Sequence, residues 1–63
     1  MSDNLNKVDY RDDDRINVHQ SWELRDWAKK FGVSENALVR AVNTVGVMAK
    51  NVHAWLKANP HIR

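Results

Sequence analysis

Residues 27–42 read Trp-Ala-Lys-Lys-Phe-Gly-Val-Ser-Glu-Asn-Ala-Leu-Val-Arg-Ala-Val, a corner of Gly32, Val33 and Ser34 between two segments whose apolar residues recur at helical spacing. Leu24, Trp27, Ala28 and Phe31 fall at i, i+3, i+4 and i+7, so they share one face of a helix expected over about residues 20–31. Gly32 can adopt the left-handed conformation just past a helix end, with Val33 folding back as the accompanying apolar contact. Ser34 then suits the N-cap of a second helix over about 35–45, and Glu35 sits where the helix dipole favours negative charge. Its apolar stripe is Leu38, Ala41, Val42 and Val45. This is the spacing of a helix-turn-helix unit: Ala28 four residues before the turn glycine, Val33 after it, Leu38 and Ala41 inside.

Working outward, Gly46 ends the second helix, and Met48, Ala49, Val52, Trp55 and Leu56 line one side of a third helix over about 48–58, which Asn59-Pro60 closes. No side chain caps its start, because Val47 and Met48 stand where Ser, Asp or Asn would serve, so its first turn is expected to fray. The first helix offers two starts, an Asn17/Gln20 capping box or a Ser21 cap. Ahead of it, Ile16 and Val18 alternate with Asn17 in an extended entry segment that could tuck both apolar side chains under the bundle. Leu5, Val8 and Tyr10 are isolated among polar and acidic residues, and residues 1–14 read as a flexible acidic arm. The expectation is an all-α domain, a small three-helix bundle with a helix-turn-helix-like core over residues 15–59, followed by a tail at 60–63. Trp27, Phe31 and Trp55 are its expected aromatic core.

A chain of 63 residues forms one small domain with little surface to bury, and with no cysteine it has no disulfide to lean on. No apolar run approaches the roughly 18 residues of a membrane span, and Met1-Ser2-Asp3-Asn4 lacks a secretory pattern, so a cytoplasmic protein with no membrane contact is expected. The net charge of +2 conceals an asymmetry. Lys7 and Arg11 oppose Asp3, Asp9, Asp12, Asp13 and Asp14 in the arm, a balance of −3, whereas eight basic residues oppose Glu23, Asp26 and Glu35 in the remainder, a balance of +5. Such a bias can draw polyanions, and it is also ordinary for a solvated domain. Consecutive aspartates do not reproduce the alternating ligands of a calcium loop.

Catalytic chemistry finds no footing. His19, His53 and His61 are scattered with no metal-binding spacing, both glycines end helices instead of cradling phosphate, and no nucleophile–base pair can be drawn. No enzyme, cofactor, metal or small-molecule substrate is expected. Two kinds of binding module remain. Trp22 falls opposite the first helix's apolar stripe, beside Arg25 and Lys29, either covering Ile16, Val18 and the arm or anchoring a protein partner or a second copy of the chain. The alternative is weak DNA binding through Asn36, Arg40 and Asn43 on the second helix and Lys50 and Lys57 on the third, where His53 would also lie outward. Glu35 and a single cation make the second helix a poor match to phosphates.

Arg15-Ile16-Asn17-Val18, Trp27-x-x-Lys30-Phe31-Gly32-Val33-Ser34, Leu38 with Ala41-Val42, Val45-Gly46, and Val52 with Leu56 together resemble a family of short bacterial proteins of unknown function, over roughly residues 12 to 57. The resemblance implies an Asn or Ser cap where His19 stands, a polar cap where Val47 and Met48 stand, and an acidic residue after the Gly-Val-Ser corner. It brings no function with it.

Overall fold

The corner at Gly32 forms as its residues dictate. In the computed structural model, which describes residues 8–63, helix α1 spans Ser21–Phe31 and stops at Gly32, whose φ of 70° and ψ of 36° are left-handed. The Gly32 N–H donates to Lys29 and the Val33 N–H to the Ala28 carbonyl at 2.9 Å, the paired bonds that satisfy the last carbonyls of a helix. Two residues later the Ser34 Oγ accepts from the Ala37 N–H at 3.1 Å and opens α2, Glu35–Val45. Gly46 ends α2, and α3 covers Ala49–Ala58 before a single 3-10 turn at Pro60–Ile62. Among the described residues there is no strand, and α2 packs against both α1 and α3, an all-α three-helix fold.

Burial follows the helical stripes with one rotation. Trp27, Ala28, Phe31, Leu38, Ala41, Val42, Ala49, Val52 and Leu56 form the core. The α2 face is turned by one position, so Ala37 is buried and Val45 only half-buried. Alanine at 37 and 41 lets α2 sit close to its neighbours, a choice of packing that an apolar count along the chain does not reveal. Trp55, expected inside with Trp27 and Phe31, is only half-buried against the core edge, as are Leu24 and Val45. So small a molecule has too little interior to enclose a third large ring.

The entry segment completes the core. Ile16 is 1% exposed, although it belongs to no helix. Its N–H donates to the Val47 carbonyl at 2.8 Å, and the Asp14 carbonyl accepts from the Ala49 N–H at 2.9 Å, which makes Arg15 and Met48 a single antiparallel bridge. The second bond corrects the expectation of a frayed third helix: the orphan donor at the start of α3 is met by a backbone carbonyl 35 positions earlier instead of by a side chain. The start of α1 differs similarly. Gln20 occupies the N-cap without a side-chain bond, while the Asn17 Oδ1 accepts from the His19 N–H and the Asn17 N–H donates to the Glu23 carboxylate at 2.9 Å.

The arm is not separate from the bundle over its described part. Residues 1–7, including Leu5, lie outside the described residues. Val8 and Tyr10 pack against the core, where the Tyr10 ring meets Phe31 edge-on with centroids 6.1 Å apart. Its hydroxyl shares a 2.6 Å hydrogen bond with His53 Nδ1, and His53 in turn stacks on Phe31 at 5.6 Å. His53 is therefore half-buried, not on the outer side of α3 as its spacing suggested. Desolvation, and secondarily the Asp12 carboxylate, raise the Tyr10 pKa above its ordinary 10.0, because both oppose the phenolate.

Candidate functional site

Because the entry segment lies across the end of α2, a groove opens beside it. Its volume is about 340 Å³, and its walls are Arg15–His19 on one side and Val42, Asn43 and Val47 on the other. Each wall has a local cause. The Ile16–Val47 hydrogen bond holds the two segments together, and burial of the Ile16 side chain commits the neighbouring Arg15 and Asn17 to the other side of the extended stretch. Gly46 has φ 96° and ψ −172°, a region open almost only to glycine, and this bend delivers Val47 to the surface, where it is 42% exposed. A Cβ at Gly46 would meet nothing within 4 Å, so the glycine serves the backbone angle and not the space around it.

The lining is mainly apolar, supplied by Ile16, Val18, Val42 and Val47, with Arg15, His19 and the Asn17 and Asn43 amides as its polar members. Among the described residues no carboxylate lines it. The size falls at the small end of ligand cavities, roughly 300–1,000 Å³, room for one or two large side chains.

The residues singled out in the sequence are all at the surface. Trp22 is 58% exposed, so neither the entry segment nor residues 8–14 of the arm cover it, and with Arg25 and Lys29 at i+3 and i+7 it forms an exposed strip on α1. Asn36, Arg40 and Asn43 form a second strip on α2, where Arg40 contributes the one cation and Thr44 donates to its carbonyl at 2.7 Å. Lys50 and Lys57 are exposed on α3. Of these residues Asn43 alone belongs to the groove. Arg15, Val18 and Val47 were not apparent as site residues from the chain, although one signal was present: Val47 is apolar, lies between a glycine and a helix start, and belongs to no helical stripe.

Polar chemistry elsewhere is slight. A shallower depression is lined by Asp9, Tyr10, Arg11 and Asp14, and there the Asp14 carboxylate already accepts from the Arg11 N–H at 2.9 Å. Among the described residues no three His, Asp or Glu side chains converge as a metal ion would need, and no helix is long and apolar enough to cross a membrane. What the arrangement offers is a surface for contact, apolar in the groove and aromatic at Trp22.

No curated protein and no solved structure matches this chain. A family model does, that of the family described as "Protein of unknown function (DUF3606)", over residues 4–57. That match takes in the entry segment, all three helix starts and both glycine corners, and the chain belongs to the DUF3606 family.

Proposed function

We propose that this chain is a non-catalytic binding module of the bacterial cytoplasm that meets a partner protein at the groove between Arg15–His19 and the end of α2. The observation that carries the reading is the groove's composition: a mainly apolar lining in which Val47 stands 42% exposed and Val18 half-buried. Trp22, flanked by Arg25 and Lys29, supplies a second contact of the kind that dominates interfaces. DNA contact through Asn36, Arg40, Asn43, Lys50 and Lys57 is the weaker reading, because α2 offers phosphates one cation and sets Glu35 beside them.

A photoreactive residue in place of Val47 tests this in cells. The expected result is a discrete covalent adduct from Val47 and none from the same group at Lys57, with sedimentation of the purified chain deciding whether the adduct is a second copy. No adduct at Val47, from a chain that stays monomeric at high concentration, would end the proposal. A titration with duplex DNA separates the other reading: binding that weakens steeply with salt would move the function to nucleic acid, and no binding at low salt would remove it.

A further inference from the structure

The groove is more than apolar. Arg15 and His19 are exposed at its edge, Asn17 and Asn43 add amide groups, and among the described residues no acidic side chain lines it. Among the described residues no carboxylate is paired with the Arg15 guanidinium, which lies at the edge of a mainly apolar cleft. Arg15 carries a second feature. In the antiparallel bridge the hydrogen bonds run through Asp14 and Ile16, which leaves Arg15 and Met48 as the non-bonded pair. In such a pair each residue's own N–H and C=O point away from the opposite segment, and among the described residues neither group of Arg15 bonds to another backbone group. These groups face away from Val47, so what Arg15 brings to the groove is its fixed positive charge beside the apolar lining of Val18 and Val47.

We propose that the occupant of the groove is an acidic segment of a partner protein that carries a large apolar side chain. One large aliphatic or aromatic side chain sits between Val18, Val42 and Val47, and a neighbouring Asp or Glu meets Arg15. Each part answers a particular feature: the apolar walls take the side chain, and the Arg15 guanidinium takes the carboxylate. The electrostatic part is also selective, since a basic flank would be repelled by Arg15. This rests on the groove being the partner-binding site, and it adds the chemistry of what binds there.

The test is a random peptide library selected on the full chain. Enriched peptides are expected to carry Asp or Glu next to a large apolar residue, and to move the amide signals of Val18, Val47 and Arg15 on titration. Arg15→Gln should weaken the selected peptides about tenfold and Val47→Asp should abolish binding. Both positions are exposed, and an unchanged melting temperature checks that each variant remains folded. Enrichment of basic peptides, signals that move on another face, equal binding by R15Q, or no enrichment at all would overturn the proposal. The Val47 cross-link separates the two claims: an adduct that persists while acidic peptides fail leaves the groove as the site and refutes only the chemistry given to its occupant.

Discussion

Tyr10 shows how much can rest on one side chain. It joins the part of the chain before the helices to His53 and Phe31, 43 positions away at the hydrogen bond. Tyr10→Phe keeps the ring contact and removes the hydroxyl, and a loss of about 1 kcal/mol is expected in urea unfolding. The bond also has a pH dependence of definite sign. A phenol whose pKa is raised by folding favours the folded state while it is neutral, so its contribution is whole below the ordinary 10.0 and is withdrawn as pH rises through the higher folded value. The melting temperature of the native chain should thus fall more steeply than that of Tyr10→Phe as pH rises from 10.0 to the folded value. As the chain has one tyrosine, its phenolate absorbance can be followed in the same titration. Gly46→Ala should cost about 1–3 kcal/mol although a methyl group fits there, because the strain lies in the backbone angle. Trp22→Ala should change stability by less than about 0.5 kcal/mol, as expected for an exposed ring, whereas Trp27→Ala should cost about 3–5 kcal/mol.

The elements differ in where their ends are secured. Helix α2 carries its own cap, and Ser34→Ala should cost about 1 kcal/mol in thermal unfolding. Helix α3 depends on a carbonyl from Asp14, and a chain beginning at Arg15 would lose that acceptor together with Tyr10. Amide exchange at Ala49 should then speed up well before that at Ala37, and equal protection at the two sites would refute the backbone cap. The same contrast explains what could be read in advance. Gly32, Ser34 and Glu35 act on residues within one turn of themselves, so the corner was legible. The start of α3 looked uncapped because its acceptor lies far off in the chain and is a backbone atom, which no residue type announces. The rotation of the α2 face onto Ala37 was hidden for a related reason, since alanine is at home either inside or outside.

For the molecule as a whole, Ile16 is the residue on which cooperativity depends. It is buried with all three helices and also holds one wall of the groove. Ile16→Ala should cost about 2–5 kcal/mol, enough to remove most of the stability of a domain this small, and calorimetry should show the transition broadened or lost. Sequence by itself determined the helical stripes, the two glycine corners and the all-α class, because caps, turns and amphipathic spacing are interactions between near neighbours. Only the tertiary structure decided that Ile16 is core, that His53 is sheltered by Tyr10, that Trp55 is not enclosed, and that Val47 stands open beside Arg15. Those outcomes depend on which distant segments meet and on how little interior a chain of 63 residues can make, and neither quantity is written in any local stretch.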